Sequence, residues 1–193
     1  MSSPRKVYLY QYVYKVERDD WMKLIAADAS SLILLTRIDL MALVIEEFQV
    51  IIPESVYKEC VNEETLKRFP DALAIQQWVH DKKLKVKKVD AHKHKFVYKV
   101  NQGEREAIAL SLEYPESILL TDDGNAVKIA KYLKKPFIIS PLVVLDFYRL
   151  EKISHETARK SIEKLSIIGR YLPNLIADVF VMLESVKREK ERK

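Results

Sequence analysis

Ser117-Ile118-Leu119-Leu120-Thr121-Asp122-Asp123-Gly124 is the stretch that decides the fold class of this chain. A short apolar run reads as a buried strand, paired acids end it, and a segment of helical periodicity starts at Gly124. A second junction is built alike: Lys23-Leu24-Ile25-Ala26-Ala27 runs into Asp28-Ala29-Ser30-Ser31. A third acidic phrase, Gly103-Glu104-Arg105-Glu106, opens another helical segment. In an open α/β sheet the carboxyl ends of parallel strands lie on one rim, where such sheets bind their ligands. Acids far apart in the chain are thereby expected to meet in one cluster. Oxygen ligands that repel one another suit a hard divalent cation such as Mg²⁺ or Mn²⁺.

Working outward, strand and helix alternate. The patterning predicts strand 23–27, helices 29–36 and 39–46, strand 48–52, helices 54–64 and 70–82, strand 84–89, helix 104–113, strand 117–121, helix 124–133 and strand 136–139. This is the signature of an α/β fold, a three-layer α/β/α arrangement with a mostly parallel central sheet. A helical tail follows. Ser140 reads as the N-cap of helix 141–149 with Pro141 in the first turn, and Ser154 as the cap of helix 155–165. In a last helix, 173–189, Leu172, Ile176, Val179, Leu183 and Val186 form one apolar stripe. Ahead of the sheet, residues 7–16 alternate with Tyr8, Tyr10, Tyr12 and Tyr14 on one face. This reads as an N-terminal edge strand that packs on the sheet or at a dimer interface, in preference to stacking bases.

At 193 residues the chain suits one domain with trimmings. It has three glycines, far below the usual frequency of about 7%; with the abundance of Lys and Glu this hints at a thermophilic source. Cys60 is the only cysteine, which excludes an internal disulfide and a multi-cysteine zinc site. His92 and His94, in a lysine-rich stretch, read as solvated surface. No apolar run approaches the roughly 20 residues that span a bilayer, so no membrane partner is expected. The N-terminus lacks a signal-peptide pattern, so a cytoplasmic location is expected. The net charge is +5, but Asp81 to Lys99 holds eight lysines against two aspartates. Lys83, Lys85, Lys87 and Lys88 lie in or beside a strand there. They suit a phosphate backbone, or equally the guarding of a sheet edge.

Each acid also has a structural reading. Asp28 and Asp123 stand where helix N-caps belong, Glu104 follows Asn101 at capping-box spacing, and Glu59 fits a solvated helix face. Jointly they favour a metal-dependent hydrolase, and the lysine strand beside them favours a nuclease. The chain has no G-x-G-x-x-G, G-x-x-x-x-G-K-[ST], G-x-S-x-G or H-E-x-x-H, so other chemistries find no support.

Four phrases resemble the PIN-domain ribonucleases over residues 23–153. Asp28-Ala29-Ser30-Ser31-Leu32 is similar to the family's opening D-[TS]-S-x-L/I, with alanine in place of threonine or serine. Ile52-Pro53-Glu54-Ser55-Val56-Tyr57-Lys58-Glu59 resembles the segment that ends in its second acid. Gly103-Glu104-Arg105-Glu106-Ala107-Ile108-Ala109-Leu110 resembles the G-E-x-E-A-I-x-L third motif of prokaryotic members, and Leu120-Thr121-Asp122-Asp123 the fourth. The resemblance implies a metal-dependent endoribonuclease with Asp28, Glu59, Glu104 and Asp123 as catalytic acids. Asp28, Glu104, Asp122 and Asp123 would hold Mg²⁺ or Mn²⁺, Ser30 and Thr121 would orient ligands or phosphate, and Glu106 would be auxiliary, pointing away from Glu104. It further implies RNA as substrate, a homodimer, and a small antitoxin-like protein as a further partner if the chain is a toxin. Residues 1–22 and 154–193 would be extensions of the nuclease domain. A non-catalytic RNA-binding module and a structure-specific DNA nuclease stand as the alternatives.

Overall fold

The computed structural model of the protein describes residues 24–94, 96 and 98–192. The tyrosine-rich stretch at 7–16 lies outside the described residues. Two compact units divide at the Ile138–Ile139 bond.

The first unit is built on a parallel sheet. Its strands are β1 (Leu24–Ala27), β2 (Gln49–Pro53), β3 (Leu84–Lys87), β4 (Ile118–Leu120) and β5 (Phe137–Ile138). They lie in the order β3-β2-β1-β4-β5, and every pairing is parallel. All residues of β1, β4 and β5 are buried, and so are the last four of β2. Such near-continuous apolar runs belong to strands with helices on both faces. The helices are α1 (Ala29–Arg37), α2 (Met41–Glu47), α3 (Glu54–Cys60), α4 (Glu63–Arg68), α5 (Pro70–His80), α6 (Gln102–Glu113) and α7 (Gly124–Tyr132). Ala107 and Ile108 of α6 pack with Leu119, Phe137 and the buried face of α7, namely Ala126, Ile129 and Ala130. Leu110, one helical turn on from Ala107, joins Leu24, Ala26 and Ile51. Full burial of one such Leu or Ile stabilises the fold by roughly 1.5–3 kcal/mol.

Two features position the site. The chain adds β2 and β3 on one side of β1, then crosses to lay β4 on the other side, so the strand order reverses between β1 and β4. That reversal opens a crevice at the carboxyl ends of these two strands. Ala27 and Leu120 are register partners, and the Asp28 N–H donates to the Leu120 carbonyl at 3.1 Å. The residues that follow each strand, Asp28 and Thr121, therefore emerge side by side.

The expected helix 54–64 is two helices. Asn62 ends the first, because its side chain accepts from the Glu64 and Thr65 N–H groups while Thr65 Oγ1 accepts from the Asn62 N–H. This reciprocal capping box starts α4 at Glu63, and Val61 and Asn62 stay extended. β3 is an edge of the sheet among the described residues, where an edge-guarding reading places it.

The second unit packs three helices pairwise: α8 (Ser140–Arg149), α9 (His155–Ile168) and α10 (Pro173–Glu191). Ser154 caps α9 as expected, accepting from the Thr157 N–H at 3.0 Å. Ser140 does not cap α8. The Ile139 carbonyl already accepts the first helical bonds, from Leu142 and Val143, so Ser140 stands inside the helix. Leu172 leaves the predicted stripe: it precedes Pro173, takes an extended conformation and is exposed. Met182 joins Ile176, Val179, Leu183 and Val186 on the buried face.

Candidate active site

Asp28 is the best-anchored acid. It ends β1, is buried, and serves as the N-cap of α1. Its Oδ1 accepts from Ser30 Oγ and from the Ser31 N–H, both at 2.9 Å, and its Oδ2 accepts from Thr121 Oγ1 at 2.5 Å. Burial pushes its carboxyl up to about 6, against the pull of these donors and aided by the charge of Asp122. A buried carboxyl that needs three donors to ionise is poised for a cation or a proton.

Asp123 ends the loop after β4 and caps α7, its Oδ1 accepting from the Asn125 and Ala126 N–H groups at 2.8 Å. Glu104 completes a capping box at the start of α6. Its Oε2 accepts from the Asn101 N–H at 2.9 Å and its Oε1 from Asn101 Nδ2 at 2.7 Å. Partial burial raises the Glu104 carboxyl above its ordinary range, and the charges of Asp123 and Glu59 add to this. Much of Glu59 on α3 is exposed, but its carboxylate tucks against Gly103, and that burial raises it too. A Cβ on Gly103 would stand 2.9 Å from Glu59 Oε2. The capping roles of Asp28, Glu104 and Asp123 are thus realised, and charge acts between neighbouring acids: Asp122 on Asp28, and Asp123 and Glu59 on Glu104. Capping spends only part of a carboxylate's capacity, since its two oxygens offer about four lone-pair sites.

Hard oxygen donors in mutual repulsion fit a divalent cation in chemistry. In placement, among the described residues no three His, Cys, Asp or Glu stand close enough to hold one ion.

The other predicted residues are spread more widely. Ser30 and Thr121 both hold Asp28. Glu106 faces away from Glu104, accepting from Gln102 Nε2 at 2.9 Å in a groove with Glu54, Lys58 and Lys88. Lys85 and Lys87 lie on β3, with Lys83 before it and Lys88 after it. Asn101, read from the sequence as the capping-box partner, clamps Glu104. Two contributors were not singled out from the sequence: Gly103 makes room for Glu59, and Lys58 lines the groove beside it. Gly103 carried a signal: a glycine within a helix's first turn, in a chain with only three, marks a close approach.

A five-stranded parallel sheet with carboxylates at its switch point defines a class, an α/β protein with an acidic rim site. Residues 24–184 match the family described as PIN domain, and the chain belongs to that family. PIN domains are generally nucleases, which act on nucleic acids and typically use divalent metal ions. No curated protein matches the chain, and no solved structure does. No helix among the described residues is long and apolar enough to cross a membrane.

Proposed function

We propose that the protein is a divalent-metal-dependent endoribonuclease whose catalytic acids are Asp28, Glu59, Glu104 and Asp123. The observation that carries this reading is the bond that the Thr121 hydroxyl at the end of β4 donates to Asp28 at the end of β1, which sets the loop bearing Asp122 and Asp123 beside the first of the four proposed acids. Asp28, Glu104, Asp122 and Asp123 would hold Mg²⁺ or Mn²⁺. Such an ion, when bound, supplies Lewis-acid activation of water and neutralises charge on the phosphate. Ser30 and Thr121 fix the Asp28 carboxylate in one orientation and keep it ionised against the cost of burial. Asn101 does the same for Glu104 with two donors. Gly103 leaves Glu59 free to approach Glu104.

Lys83, Lys85, Lys87 and Lys88 are the residues we propose to hold the RNA backbone, from the exposed edge of the sheet. Exposed Ile167, Leu172 and Val181 in the second unit support a homodimer. A toxin role, with a small antitoxin-like partner, rests on family likeness and is tested by gene neighbourhood and co-purification.

The deciding experiment is cleavage of single-stranded and looped RNA in Mg²⁺ or Mn²⁺, with matched DNA beside it. Wild type cuts RNA, leaving 5′-phosphate ends; Asp28→Asn and Asp123→Asn stay folded and lose at least about a hundredfold in rate. Undiminished cleavage by either variant refutes the assignment.

A further inference from the structure

A second feature shares the two helices of the acidic site. A solvent-open groove of about 510 Å³ is lined by Glu54, Ser55 and Lys58 of α3, Lys88 and Val89 beyond β3, and Gln102 and Glu106 of α6. Val89 is the single apolar residue among the described residues that line it, so this lining does not suit an apolar ligand. Lys58 and Lys88 are exposed, and neither is paired with a carboxylate among the described residues. Ser55 Oγ is buried with no hydrogen-bond partner. Gln102 Nε2 donates to Glu106 Oε1 at 2.9 Å, which holds that carboxylate in place and leaves its other oxygen open. Lys58 and Glu59 share α3, and Gln102 and Glu104 share the first turn of α6, so the groove and the acids draw on the same two helices.

The mixture of charges narrows the ligand. Two ammonium groups suit a phosphate, but two carboxylates in the same groove repel a ligand that carries only phosphate. Those carboxylates need a hydroxyl donor, and ribose presents one at its 2′ position, which is the group by which proteins tell RNA from DNA. We infer that this groove seats the ribose-phosphate of an RNA nucleotide flanking the cleaved bond, Lys58 and Lys88 holding its phosphate and Glu106 accepting from its 2′-hydroxyl. This rests on the endoribonuclease reading and adds to it the part of the chain that selects RNA.

The test is equilibrium binding of fluorescein-labelled single-stranded RNA, matched DNA and 2′-O-methyl RNA to the full-length protein without divalent metal, where no strand is cut. Wild type binds RNA about tenfold more tightly than the other two strands, a preference of the size one charge-assisted hydrogen bond supplies. Lys58→Gln weakens binding to all three strands and flattens the salt dependence by about 0.7 log unit. Glu106→Ala removes a negative charge and so tightens DNA binding, while the ratio of RNA to DNA affinity falls to within about twofold of one. Melting temperature checks that both variants fold, and the 2′-O-methyl comparison on wild type needs no variant. A wild type that binds the three strands alike overturns the inference, and so does a Glu106→Ala protein that keeps the full RNA preference. The two readings part cleanly. RNA cleavage with unchanged preference in the variants sinks the groove alone, whereas a lost preference in a protein that cuts no RNA upholds the groove and sinks the enzyme.

Discussion

Replacing Asp28 by asparagine should stabilise the metal-free protein, and more so as pH rises. The fold holds this carboxyl at about 6, against an ordinary value of 3.8. At about 1.4 kcal/mol per pH unit, the gap makes the ionised form about 3 kcal/mol less favourable in the fold than in the unfolded chain. The sign follows from linkage. A carboxyl raised in the folded state contributes its full stability below the unfolded value near 4; that stability is lost as pH rises to about 6, and the deficit is constant above. Asparagine carries no charge and escapes the deficit. It loses one acceptor, because the Thr121 hydroxyl that donates to Oδ2 meets an NH₂ group and must turn to accept from it, a cost of about 1 kcal/mol. The net gain is about 2 kcal/mol at pH 8, which raises the melting temperature of a chain this size by roughly 4–8 °C. At pH 4 the two proteins should melt together, or the variant slightly lower. Thermal unfolding in EDTA from pH 4 to 8 measures this directly. Adding Mn²⁺ at pH 8 should then raise the melting temperature of wild type and leave that of Asp28→Asn nearly unmoved. A variant whose advantage does not grow with pH would show that Asp28 is not held near 6 by burial, and the reasoning fails.

Further outcomes follow from single side chains. Gly103→Ala places a methyl 2.9 Å from Glu59 Oε2, the mobile end of a side chain, so RNA cleavage should fall at least about tenfold with a melting shift under roughly 2 °C; equal activity would remove Glu59 from the machinery. Asn62→Ala deletes the cap that divides α3 from α4 and should lower stability by about 1 kcal/mol in urea unfolding, with cleavage unaffected. Changing Lys83, Lys85 and Lys87 together to glutamine should weaken RNA binding and flatten its salt slope by roughly 0.7 log unit for each phosphate that a lysine had neutralised. If these lysines only guard the edge of the sheet, the slope holds and light scattering reports aggregation instead.

The apolar runs before Asp28 and Asp122, and the helical periodicity after them, are local features. They name strands, helices and a parallel α/β class without reference to anything distant, because side-chain period and strand-end chemistry are set by neighbours along the chain. The capping residues Asp28, Asn101 and Asp123 were legible for the same reason. Boundaries were less so where two local signals compete: Asn62 stands inside a run of helical pattern, and its capping box with Thr65 outweighs the run. Other facts have no local signature. Only the strand order places Asp28 beside Thr121, since a hydrogen bond across 93 positions in the chain exists only once β1 and β4 are neighbours. The same holds for Glu59 against Gly103, and for Lys58, Lys88 and Glu106 lining one groove. The sequence by itself determined which groups are acidic, basic or apolar and which element carries each. Tertiary structure alone decided which of them face one another and how much water each retains, because desolvation and charge repulsion act through space and raise the carboxyls of Asp28, Glu59 and Glu104.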